Sequence, residues 1–123
     1  MRPIILLVDD EVDLVQVLAE VLTVSRPEFD VRVASSYEEA EAVLAGLCGA
    51  KLALVVADHR IGGRTGTELL QQVRAQFPDV PVMLFTGQAT AEAESQAEAV
   101  GARVIWKPIE LAKWLKVIEE LVG

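Results

Sequence analysis

The chain has 123 residues, 52% of them hydrophobic and 24% charged, with a formal net charge of -8 at pH 7. That length suits one domain and excludes two independent cores, while the apolar fraction excludes a disordered chain. The negative balance argues against nucleic acid as a direct ligand, because phosphate backbones are held chiefly by Lys and Arg.

Residues 1–123 are therefore read as one domain. The apolar run Ile4–Val8 is followed at once by Asp9, Asp10 and Glu11, so it reads as a buried strand and not as a signal peptide or membrane span. Next comes a helix with Leu14, Val17, Leu18, Val21 and Leu22 on one stripe. Further strands are expected near 31–34, 52–57, 80–85 and 102–106, each followed by a candidate helix. The lone cysteine, Cys48, has no second thiol for a disulfide or a zinc site and is read as a small core residue. The last helix places Leu111, Leu115, Ile118 and Val122 on one stripe.

Strands such as Leu52–Ala57 are apolar throughout, which calls for helices on both faces of a parallel sheet. The fold class is α/β: a three-layer, doubly wound (βα)5 arrangement. In such sheets ligands bind beyond the carboxyl ends of the strands. Those ends carry Asp9 and Asp10, Asp58, Thr86, and Lys107 followed by Pro108.

Each of these has an ordinary explanation alone, since Asp9, Asp10 or Thr86 could cap a helix and Lys107 could be solvated. Together they do not. Three carboxylates at one sheet edge repel by ~1 to ~4 kcal/mol per close pair, depending on the effective dielectric. A hard divalent cation such as Mg²⁺ would relieve that, and no His or Cys cluster favours zinc. A carboxylate nucleophile, a metal, a lysine and a hydroxyl donor describe phosphoryl transfer, in which catalysis is mainly positioning and charge neutralisation.

The residues closely resemble the response regulator receiver domains of two-component signalling. The resemblance lies in Leu7-Val8-Asp9-Asp10-Glu11, Asp58, Thr86-Gly87 and Lys107-Pro108, together with Gly66 eight positions beyond Asp58, and it spans essentially the whole chain. It implies a flavodoxin-like sheet of strand order 2-1-3-4-5 and a cytoplasmic signalling domain. Such a domain is no enzyme for external substrates, but it catalyses its own aspartyl phosphorylation and dephosphorylation. Asp58 would take the phosphoryl group from a phosphohistidine on a histidine kinase or histidine phosphotransfer protein.

By the same resemblance Asp10 and Asp58 ligate Mg²⁺ directly, Asp9 acts largely through water, and the backbone carbonyl of Arg60 completes the protein's share. Lys107 would pair with a phosphoryl oxygen, Thr86 would donate its hydroxyl and draw its loop inward, and the Lys107–Pro108 bond would be cis. Arg60 and Gln88 occupy positions that influence aspartyl-phosphate lifetime. Output is expected through the face of the fourth helix, fifth strand and fifth helix, toward a partner or a fused domain. Trp114 borders the apolar stripe and is open to either internal packing or a contact there, and homodimerisation on phosphorylation is left open. Glu11 and Asp13 are expected to favour the first helix's amino end.

The sequence departs from the family pattern at Val104 and at Gly62. Val104 stands where an aromatic residue is usual three positions before the lysine, which motivates Trp106, on the same strand face, as a substitute reporter; a packed, static Trp106 is the plainer expectation. Gly62 replaces a common proline, predicting a less rigid loop. His59, the only histidine, is read as a loop residue. Two other classes fit less well: an aspartyl phosphatase would need an Asp-x-Asp pattern after the first strand, and in a flavin carrier Asp9-Asp10-Glu11 would repel the flavin's phosphate. A degenerate receiver that serves only for docking would lack some of the side chains present here.

Overall fold

The computed structural model describes residues 2–47 and 49–123, so the core role expected of Cys48 lies outside the described residues. The elements run β1 (Ile4–Val8), α1 (Val12–Ser25), β2 (Asp30–Ala34), α2 (Tyr37–Ala45), β3 (Leu52–Ala57), β4 (Arg60–Ile61), β5 (Arg64–Thr65), α3 (Gly66–Gln76), β6 (Val82–Thr86), α4 (Ala91–Ala99), β7 (Arg103–Trp106) and α5 (Leu111–Val122). The main sheet is five-stranded and ordered β2-β1-β3-β6-β7, its strand pairs all parallel. Counting only its own strands, this is the expected 2-1-3-4-5.

Side-chain alternation sends β1, β3 and β6 to two separate cores. Leu6, Val8, Val55, Ala57 and Leu84 meet Ala40, Leu44, Leu69, Leu70 and Val73 from α2 and α3. Ile5, Leu7, Leu54, Val56 and Met83 meet Val15, Leu18, Leu22, Trp114 and Ile118 from α1 and α5. Each fully buried Leu or Ile contributes about 2 kcal/mol of burial free energy, which is why these strands carry no polar residue before their carboxyl ends.

Both helical stripes differ from the sequence reading in phase. On α1 the buried residues are Val15, Leu18 and Leu22, and Val17 is 52% exposed. On α5 they are Trp114, Val117 and Ile118, while Leu111 is 42% exposed. The cause on α5 is the bulk of Trp114, which faces the sheet and packs against Phe85 with ring centroids 6.1 Å apart. Trp114 is therefore core and not a surface contact. Trp106, expected to be packed, is 43% exposed because it ends the edge strand β7.

Three helices receive a side-chain cap at their amino ends. Ser36, Thr65 and Thr90 accept hydrogen bonds from the backbone N–H groups of Glu39, Glu68 and Ala93. The residues at the starts of α1 and α5, Glu11 and Glu110, make no such bond. Between β3 and α3 the chain forms a hairpin, with Arg60 opposite Thr65 and Ile61 opposite Arg64. Gly62, at the turn of this hairpin, adopts a φ of 64° that is closed to proline.

Candidate functional site

β1 and β3 are hydrogen-bonded neighbours with Val8 opposite Ala57, so the residues that follow, Asp9 and Asp58, emerge side by side. One oxygen from each of Asp9, Asp10 and Asp58 lies within 4.8 Å of the others. Asp9 is buried and Asp10 is exposed. Both inner carboxylates are fixed by backbone donors: Glu11 N–H donates to Asp9 Oδ1 at 2.9 Å, and His59 N–H donates to Asp58 Oδ1 at 2.7 Å.

The turn after Asp58 is held by a close approach that only glycine permits. Gly66 N–H donates to the His59 carbonyl at 2.7 Å. A Cβ on Gly66 would stand 1.7 Å from the Asp58 carbonyl oxygen. The glycine eight positions beyond Asp58 is thus a steric requirement of the turn that presents the aspartate.

β7 runs beside β6, with Thr86 opposite Trp106, and brings Lys107 over the carboxylates. Lys107 Nζ donates to Asp9 Oδ2 at 2.8 Å, to Glu11 Oε1 at 3.2 Å and to Asp58 Oδ2 at 3.3 Å. It also stands 5.3 Å from the centroid of the Phe85 ring. The Lys107–Pro108 peptide is cis, as expected.

Burial pushes the Asp9 carboxyl above its usual value and outweighs the hydrogen bond from Lys107. Burial alone would lower Lys107, but its hydrogen bonds to Asp9 and Glu11 and the charges of Asp9 and Asp58 leave the ammonium held above the ordinary lysine value.

Thr86 is fully buried, and its hydroxyl oxygen accepts from Gln88 N–H at 3.2 Å. It does not cap α4; Thr90 does. A groove of about 720 Å³ opens above the cluster, its floor and rim formed by Asp10, Asp58, Arg60, Thr86 and Lys107. Asp9 lies beneath, in contact with Lys107. All six residues singled out from the sequence therefore gather at one end of the sheet.

Two features were not legible in advance. The side chain of Glu11, read as an aid to the first helix, reaches Lys107 instead. The signal available was its place as a third consecutive acid at a rim already carrying Lys107. His59 is 7% exposed with Nδ1 unpartnered, and nothing in the sequence marked it as buried.

A parallel doubly wound sheet whose carboxyl rim gathers three aspartates, a lysine and a buried threonine defines a class of acidic α/β domain. Within that class, the family described as response regulator receiver domain matches residues 5–119, and the chain belongs to it. It is a signalling domain of two-component response regulators. It is 29% identical over 114 residues to the response regulator protein PilR of Pseudomonas aeruginosa, covering 92% of this chain and 24% of PilR.

Among solved structures it is similar to a CheY-like receiver domain protein from Methanospirillum hungatei, with a TM-score of 0.87 and 25% identity over 98% of this chain and 93% of that one. It is also similar to the non-phosphorylated HemR receiver domain from Leptospira biflexa, with a TM-score of 0.85 and 29% identity over 99% and 95% of the two chains. The chain spans about a quarter of the length of PilR and of the other leading curated relatives. No helix among the described residues is long and apolar enough to cross a membrane.

Proposed function

We propose that residues 1–123 act as one phospho-accepting receiver domain in which Asp58 takes a phosphoryl group from a phosphohistidine. The donor is a histidine kinase or a histidine phosphotransfer protein. The observation that carries this reading is the ammonium of Lys107, 3.3 Å from Asp58 Oδ2, beside a carboxylate whose other oxygen is fixed by the His59 N–H. Asp58 is thereby oriented with one oxygen toward the groove and a positive charge next to it.

The donor set fits a magnesium ion, because the available ligands are carboxylate and carbonyl oxygens with an open groove for water. Asp10 and Asp58 would hold it directly, Asp9 through water, and the Arg60 carbonyl would complete the set. When bound, it supplies charge neutralisation for the oxygens being transferred.

The protein's own steps are these. An Asp58 oxygen forms a bond to phosphorus as the bond from phosphorus to the imidazole nitrogen breaks, and the histidine leaves with that electron pair. Lys107 holds a phosphoryl oxygen. Thr86 gives up its bond from Gln88 N–H and donates its hydroxyl to the new group, drawing the β6–α4 loop inward and shifting an inactive-to-active equilibrium. Water later hydrolyses the acyl phosphate, at a rate on which Arg60 and Gln88 act from the groove rim. The domain thus catalyses its own phosphorylation and dephosphorylation.

Output leaves through the face of α4, β7 and α5 toward a partner or fused domain, in a cytoplasmic setting. Trp106, exposed and in register with Thr86, would report the movement in fluorescence. Incubation with Mg²⁺ and acetyl phosphate, followed by intact mass measurement, tests the reading. Wild type gains one phosphoryl group and Asp58→Asn gains none; an unmodified wild type, or a modified Asp58→Asn, overturns it.

A further inference from the structure

An ammonium group has three N–H donors, and those of Lys107 meet three carboxylates, on Asp9, Glu11 and Asp58. An arriving phosphoryl oxygen therefore finds the lysine fully engaged. The three partners are not equally fixed. Asp9 also accepts from the Glu11 N–H, Asp58 also accepts from the His59 N–H, and their side chains are only 7% and 12% exposed. The Glu11 side chain is 58% exposed. Its carboxylate has no hydrogen-bond partner but Lys107 among the described residues.

The start of α1 underlines the point. Glu11 occupies the cap position but its side chain accepts no helical N–H, unlike those of Ser36, Thr65 and Thr90 at the starts of three other helices. Its side chain is committed across the rim, 96 residues away in sequence.

From this geometry we infer that Glu11 is a positioning residue that restrains Lys107 in the unphosphorylated domain and is the partner released when the lysine turns to a phosphoryl oxygen. Its consequence for phosphorylation rests on the phosphoryl-transfer reading above; the restraint itself does not. Glu11 thus sets a threshold: it keeps the ammonium against the inner carboxylates and leaves a negative charge beside the arriving anion until it lets go.

Glu11→Gln removes the charge, and Glu11→Asp keeps the charge but is one methylene shorter than the reach that the contact needs. A restraint by contact makes the two variants alike, whereas a general field effect would leave Glu11→Asp like wild type. Two readouts separate the claims. The first is labelling of Lys107 by an amine-acylating ester in metal-free solution, read by peptide mass against Lys51, Lys113 and Lys116 as internal references. Both variants should label Lys107 faster by about fivefold, the upper end for an exposed ion pair.

The second is the rate at which acetyl phosphate, with Mg²⁺, modifies Asp58. The Asp58 oxygen bonds to phosphorus as the bond from phosphorus to the acetyl oxygen breaks and acetate leaves. Both variants should react about three- to fivefold faster than wild type. Equal labelling of Lys107 in all three proteins, or a Glu11→Asp that matches wild type, overturns the inference. Faster labelling without modification of Asp58 in any of the three leaves the restraint standing and overturns the phosphoryl-transfer reading instead.

Discussion

β1 passes from Ile4 to Val8 with every residue buried and then delivers Asp9, Asp10 and Glu11; β3 passes from Leu52 to Ala57 and delivers Asp58. The interior of the sheet and its carboxyl rim are thus separated by a single peptide bond, yet opposite rules govern them. In the interior each side chain meets apolar neighbours and stabilises the fold. At the rim, carboxylates are gathered within 4.8 Å and are balanced by one lysine. Like charges held together weaken a fold, and strain of that kind is kept where a site needs it.

The comparison predicts a loss of stability where an interior side chain is truncated and a gain where one of the repelling rim carboxylates loses its charge. The largest effect belongs to the interior: Leu54→Ala, at a residue with no exposed surface, should cost about 4 kcal/mol in urea unfolding. Gly66→Ala tests the joint between the regions. Its added Cβ meets the Asp58 carbonyl at 1.7 Å, and the expected cost is about 3 kcal/mol together with loss of Asp58 phosphorylation, because the aspartate's own backbone must move.

Lys107→Met should cost about 2 kcal/mol at neutral pH by leaving Asp9 and Asp58 without their counter-charge. The pH dependence has a definite sign. The folded-state pKa of Lys107 is raised above the ordinary value of 10.5, so its contribution is complete below that pH and disappears as pH rises through the higher folded value. On the basic side, wild type and Lys107→Met should therefore converge in stability only above the lysine range; a gap that closes near neutrality would contradict the pairing. The smallest effect has the reverse direction. Asp10→Asn should stabilise the metal-free protein by about 1 kcal/mol, since it removes one repelling charge from the rim. Added Mg²⁺ should narrow that advantage by stabilising wild type alone, as thermal unfolding would report.

How much of this could be read from the sequence follows the same division. The interior was legible because unbroken apolar runs such as Leu52–Ala57 admit one arrangement, a strand covered on both faces. The rim was legible as a set of residues, because strand ends fix where Asp58, Thr86 and Lys107 must lie once the sheet is parallel. Helix phase was less so: Val17 and Leu111 fit an apolar period but lie outside the core that takes Val15 and Trp114; on α5 the bulk of Trp114 decides, and between two valines on α1 periodicity cannot choose. The hairpin at 60–65 depends on the positive φ of Gly62, which a Gly-Gly pair permits without requiring. Glu11 was missed because the local rule for acids at a helix start is satisfied in sequence, while its actual partner is distant.

The claim on which the account turns is that, of the three aspartates at the rim, Asp58 alone is the acceptor. An acyl phosphate is reduced by borohydride to an alcohol, which converts the modified aspartate to homoserine and marks it permanently. After phosphorylation with acetyl phosphate and Mg²⁺, fragment mass spectra should place homoserine at position 58. Homoserine at position 9 or 10, or at none of the three, would contradict it.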